Sequence, residues 1–195
     1  MATGKPLLMQ KRTRPQRERK AVALAFDGAA EGEFEGYASV FGIEDQGHDI
    51  VAPGAFRRSL RARGVGNVKL LFQHDAREPI GVWRDIHEDS RGLLVRGRIL
   101  PELQRGRDVL ALMRAGALDG LSIGYQVVRS QTDRKTGTRT LLDVDLWEIS
   151  IVTFPLLPVA RVTRVKRREL SRFHQTDRAL ARALRSFSDD LRKGI

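Results

Sequence analysis

The chain has 195 residues, of which 41% are hydrophobic and 30% charged, with no cysteine and a formal net charge of +11. That hydrophobic share supports a packed core and argues against wholesale disorder. The missing cysteines exclude a disulfide framework, a thiolate zinc site and a thiol nucleophile. No apolar run approaches the ~20 residues that span a bilayer.

The charge is concentrated at the two ends. Residues 1–20 carry +6, residues 161–195 carry +7, and the stretch between them carries −2. This pattern predicts a near-neutral domain with two basic extensions rather than a basic fold that reads nucleic acid with its surface. The extensions suit nucleic acid or an acidic protein surface. The N-terminus shows no secretory hydrophobic region, and the simplest compartment is a cytoplasm.

Residues 1–20 hold few apolar side chains and read as a basic flexible arm. From Ala21 the texture changes to short apolar runs separated by glycine and polar clusters. Candidate strands are 21–26, 34–41, 68–73, 80–87, 92–100, 121–129 and 138–152. In the fifth, Leu93, Val95, Gly97 and Ile99 alternate with Leu94, Arg96 and Arg98, the period-2 signal of a half-buried strand. Residues 130–138 are polar and read as a hairpin loop. Two helices interrupt the strands. One opens at Pro53-Gly54-Ala55, with Phe56 and Leu60 on one face. The other follows Pro101, with Leu103, Leu110, Met113 and Ala117 at helical spacing and Gly116 near its end. About seven strands without βαβ alternation predict a mainly β (α+β) fold, an antiparallel barrel with peripheral helices. Leu170, Phe173, Leu180, Leu184, Phe187 and Leu191 then predict a basic amphipathic helix over 167–192. The expected organisation is an arm (1–20), a domain (21–165) and a helical tail (166–195).

Three strand-borne residues have chemical capability: His74 at the end of one strand, Ser122 at the start of another, and Glu148 within a third. A serine hydroxyl is a weak nucleophile unless a base takes its proton. An imidazole does that best near neutrality. A carboxylate then fixes the ring's tautomer and stabilises the imidazolium. Asp75 is expected to face away from His74, because neighbours on a strand point to opposite faces. The bland readings are a tight-turn serine between glycines, a structural histidine and a solvated strand-face glutamate. Gly120-Leu121-Ser122-Ile123-Gly124 matches the G-x-S-x-G elbow in letters. The α/β-hydrolase reading fails, since a strand follows the serine and the only later histidine is His174. His48-Asp49 and His87-Glu88 lack any metal-ligand spacing, so no metal and no cofactor are expected.

Five stretches carry a resemblance. They are Phe34-Glu35-Gly36-Tyr37-Ala38-Ser39-Val40-Phe41; Asp49-Ile50-Val51-Ala52-Pro53-Gly54-Ala55-Phe56 with Ser59-Leu60; His74 with Pro79-Ile80-Gly81; Leu118 through Tyr125; and Glu148-Ile149-Ser150 with Val152-Thr153-Phe154-Pro155. In this order they resemble the tailed-phage prohead (head maturation) serine protease family, itself related in fold to the herpesvirus assemblin proteases. The resemblance implies a seven-stranded barrel bearing Ser122 as nucleophile, His74 as base and Glu148 as orienting acid. It also implies a protein substrate, the scaffold or a segment of the major capsid protein, and often the enzyme itself. Action inside the assembling prohead in the host cytoplasm, a homodimer, and no membrane partner are the corresponding expectations. Activity is then expected to fall below about pH 6 as His74 protonates. Readings from other classes are a catalytically inactive capsid-assembly or scaffolding factor, and a nucleic-acid-binding protein acting through the basic arms.

Overall fold

The computed structural model describes residues 31–165. The expected strand at 21–26, the basic arm and the amphipathic tail lie outside the described residues. In chain order the elements are β1 (Glu33–Val40), β2 (Asp49–Val51), α1 (Arg57–Arg63), a 3-10 turn (Val65–Asn67), β3 (Lys69–Phe72), β4 (Asp75–Glu88), β5 (Gly92–Ile99), α2 (Gln104–Arg114), β6 (Gly120–Thr132), β7 (Arg139–Val152) and β8 (Val162–Val165).

One curled sheet holds every strand. Its order is β2-β7-β3-β4-β5-β1-β8, with β6 on the other edge of β7. The curl brings the two ends together. Leu121 N–H donates to Ala160 O at 2.9 Å, and Val162 N–H to Asp119 O at 2.8 Å, so the start of β6 meets the start of β8. Most pairings are antiparallel, as expected. Two are parallel: β2 and β3 lie along successive parts of the same edge of β7. The mainly β architecture with two helices is the one the sequence predicts.

The inner face is apolar for the reason the β5 pattern gives. Leu93, Val95 and Ile99 are wholly buried, and Phe34 and Trp83 meet edge to face at 5.5 Å beside them. Val109, Leu110 and Met113 of α2 join this core. Gly116, at φ 72°, ends that helix in the left-handed conformation that glycine favours. Leu103 and Ala117 are exposed and lie outside the helix.

α1 begins later than the sequence suggests. Pro53-Gly54-Ala55 form a turn, and Phe56 is the N-cap without a side-chain cap of its own. The cap comes from β4. The Glu88 carboxylate accepts Gly54 N–H at 2.9 Å and Phe56 N–H at 2.8 Å, meeting backbone donors that a helix start leaves open.

Candidate active site

Glu148 owes its direction to a bulge in β7. Leu141, Val144, Leu146, Ile149 and Ile151 face the core, so strict alternation from Leu146 would bury Glu148 as well. The ladder with β6 shifts instead: Tyr125 pairs with Leu146 and Gly124 with Glu148. Trp147 is the extra residue, and it reverses the phase so that Glu148 turns to the outer face. α1 clasps this bulge. The buried Ser59 hydroxyl accepts Leu146 N–H at 2.8 Å. Asp145 takes bonds from Ser59 at 3.2 Å, Arg63 at 2.8 Å and the Trp147 indole at 2.7 Å.

His74 lies in the two-residue turn that joins β3 to β4, not at a strand end. Phe72 pairs with Asp75 across it. Gln73 and His74 have φ of 53° and 61°, both left-handed as a primed hairpin turn demands. Neither is glycine, so each conformation costs about 1–2 kcal/mol. Neighbouring groups hold the turn. Gln73 N–H donates to Ile151 O at 3.0 Å, and the Gln73 amide donates to the Thr153 hydroxyl at 2.7 Å. His74 N–H donates to Ser150 Oγ at 3.1 Å.

From that turn the imidazole reaches over β7. Its Nδ1 lies 2.6 Å from Glu148 Oε1. Since a carboxylate only accepts, this bond puts the proton on Nδ1 and leaves Nε2 free as an acceptor. The bond to Glu148 raises the His74 pKa above the ordinary imidazole value; partial burial opposes it. Glu148 Oε2 in turn accepts from Ser150 Oγ at 2.7 Å.

Ser122 enters from the other side of β7. Its ladder partner is Ser150, and the partner of Gly124 is Glu148. Residues directly opposite in an antiparallel pair share a face. Ser122, Ser150 and Glu148 therefore share the outer face, with His74 drawn onto it by the carboxylate. Ser122 is half-buried, whereas Ser150 is wholly buried. Gly124 makes the space: a Cβ there would lie 2.1 Å from Glu148 Oε1. An open cleft of about 850 Å³ is lined by Asn67, Lys69, Gln126 and Asp145 among others, and by none of Ser122, His74 and Glu148; Lys69 is the β3 neighbour of Glu148.

The sequence thus named three residues that the fold gathers on one face, with His74 and Glu148 in direct contact. It missed Gln73, Gly124 and Ser150. The i, i+2 spacing of Glu148 and Ser150 on a strand was the available signal for the last. Asp75 is engaged elsewhere, as expected, but for a different reason. It opens β4, and its carboxylate accepts from Arg77 N–H at 2.9 Å and from that guanidinium at 3.0 and 3.1 Å. Ser122 is followed by strand β6, which is not the helix an α/β-hydrolase elbow requires. His48 bonds Glu44 at 2.7 Å, while Asp49 accepts from Arg139 Nε at 2.7 Å and from Arg139 Nη2 at 2.6 Å. His87 bonds Asp85 at 2.8 Å, and Glu88 is the cap of α1.

The chain is similar to known phage proteins. The chain is 37% identical over 138 residues to the prohead protease of Enterobacteria phage HK97, which covers 70% of this chain and 61% of the phage protein. It is 28% identical over 126 residues to the prohead protease of Escherichia phage T5, covering 63% of this chain and 58% of that protein. The matches thus span about three fifths of the length of these relatives. The solved capsid assembly protease of bacteriophage T4 has the same fold, with a TM-score of 0.52 at 14% identity over 62% of this chain and 80% of that one. The family model described as caudovirus prohead serine protease matches residues 19–176, a stretch that contains Ser122, His74 and Glu148. The chain belongs to the caudovirus prohead serine protease family.

Proposed function

We propose that the chain is a serine endopeptidase of phage head maturation, with Ser122 as nucleophile, His74 as base and Glu148 as orienting acid. The observation that carries this reading is the 2.6 Å contact between His74 Nδ1 and Glu148 Oε1 on the face that also bears Ser122. Ser122 Oγ attacks the scissile carbonyl carbon while its proton passes to His74 Nε2. The tetrahedral intermediate collapses, the C–N bond breaks, and the amine leaves with that proton. Water, deprotonated by Nε2, then hydrolyses the Ser122 ester. Glu148 keeps the ring in the tautomer that leaves Nε2 unprotonated and stabilises the imidazolium between the two transfers. Ser150 is excluded as nucleophile by its burial, since no substrate carbonyl reaches it.

The names of the HK97 and T5 relatives support a substrate within the prohead, and that of the T4 protein a role in capsid assembly. The substrates that fit are scaffold or capsid-protein segments, and the chain's own basic ends, inside the assembling prohead in the host cytoplasm. Those ends (1–20 and 166–195) suit tethering to the substrate surface or to nucleic acid. Among the described residues no helix is long and apolar enough to cross a membrane.

The test is co-expression with the major capsid protein of the same phage, followed by mass measurement of both chains. Wild type is expected to truncate the capsid or scaffold protein. Ser122→Ala should leave it intact, with turnover reduced ~10⁶-fold and the fold unchanged. Identical products from both would remove Ser122 from the reaction.

A further inference from the structure

We propose that Ser150 is a positioning residue of this site: its buried hydroxyl fixes the imidazole of His74 by binding the ring's carboxylate partner and the ring's own main chain at once. The inference rests on the reading of His74 as the base.

Ser150 has no exposed surface. Its hydroxyl donates to Glu148 Oε2 at 2.7 Å and accepts His74 N–H at 3.1 Å. The other oxygen of Glu148 meets His74 Nδ1 at 2.6 Å. The three bonds close a ring that runs from the His74 main chain through the serine hydroxyl and the carboxylate to the His74 imidazole. A hydroxyl offers a donor and acceptor lone pairs on one atom, and this ring uses both kinds. No apolar side chain of that size would close it.

Each bond removes a motion that would misplace Nε2. A carboxylate held only by the imidazole is free to turn about its last torsion, and the ring turns with it. The bond to Oε2 stops that rotation from within the same strand, two residues along. The main-chain bond acts on the other end. His74 has φ 61°, a conformation that a non-glycine residue leaves readily unless its surroundings hold it. Ser150 Oγ receives the His74 N–H that this conformation points at β7. Because Ser150 is itself packed in the strand, the position of the base is referred to β7. That strand also pairs with β6, the strand of Ser122. Base and nucleophile are thereby registered against one common strand.

The experiment compares wild type with Ser150→Ala, Ser150→Cys and Ser150→Thr, using a peptide spanning a mapped cleavage site. The Cys variant fills the space of the hydroxyl with only a weak hydrogen-bonding group, which guards against collapse of the Ala variant. Three quantities are read: kcat, KM, and the titration of the His74 imidazole by NMR. Loss of the hydroxyl is expected to lower kcat ~100-fold with KM unchanged, as a displaced catalytic group does. The His74 titration should move down toward the ordinary imidazole value, and Thr should recover most of both. Wild-type kcat together with an unmoved His74 titration in a folded Ala or Cys variant would overturn the inference. Loss of activity with an unmoved titration and a raised KM would overturn it too. If wild type neither cleaves the peptide nor reacts with a serine-directed phosphonate, the reading of the site fails instead. The NMR titration still decides whether Ser150 holds His74.

Discussion

At the scale of single residues, His74 combines a strained backbone with a hydrogen-bonded ring. As the proposed base His74 works only when neutral, and its bond to Glu148 raises its pKa above the ordinary imidazole value. The acid limb of kcat/KM is therefore expected at a pH above ~6.5, higher than the sequence alone suggests. Glu148→Gln should move that limb down and lower kcat; a limb that stays in place would separate Glu148 from the base. For stability the sign is opposite to that for activity. A raised folded pKa strengthens the fold at pH below the unfolded value, and this contribution is lost as pH rises through the folded value. Gly124 supplies a second residue-scale prediction. A methyl group at 124 would meet Glu148 Oε1 at 2.1 Å. The far end of a flexible side chain can swing aside, so Gly124→Ala should unfold near the wild-type temperature. The displaced carboxylate leaves the ring unoriented, and kcat should fall ~100-fold. Full activity in that variant would mean that the carboxylate is not needed where it lies.

At the scale of elements, the features legible in the sequence are those with a local signal. β5 alternates, and its inward set is the one the pattern picks out. The hairpin of β6 and β7 is announced by its polar loop, although β6 runs further into it than predicted, to Thr132, while β7 begins at Arg139, one residue later than predicted. β2 and β8 have three and four residues, too few for a period to register. The β3–β4 turn was hidden because Gln73 and His74 occupy positions where Asn-Gly is the usual signal. Tertiary bonds to Ile151, Thr153 and Ser150 hold it in place of local propensity. The bulge at Trp147 was partly visible. Leu146 and Ile149 are three apart, a break in the period-2 pattern that only a phase reversal reconciles with both being buried. The parallel pairing of β3 with β7 had no local signal, yet it brings the His74 turn beside Glu148. Such pairings are set by the whole sheet.

At the scale of the molecule, closure of the sheet places Ser122 one residue from the seam where β6, β8 and β1 meet. Gly36 of β1 sits at that seam. A Cβ there would lie 2.5 Å from Arg161 O and 2.8 Å from both Val162 Cα and Leu121 Cδ1. Two of these are backbone atoms that cannot step aside cheaply. Gly36→Val should cost about 1–3 kcal/mol in urea unfolding, as overpacking does. An unchanged midpoint would mean that the seam is open in solution. The proposed triad requires a hydroxyl from β6, a carboxylate from β7 and an imidazole from the β3–β4 turn to act as one unit. Intact-mass and peptide mapping after exposure to a peptidyl phosphonate test it most directly, in wild type, His74→Ala and Glu148→Ala. The predicted result is a single adduct on Ser122 in wild type, none on the same timescale in His74→Ala, and a much slower one in Glu148→Ala. An adduct on another residue, or labelling of Ser122 at the wild-type rate without His74, would contradict it.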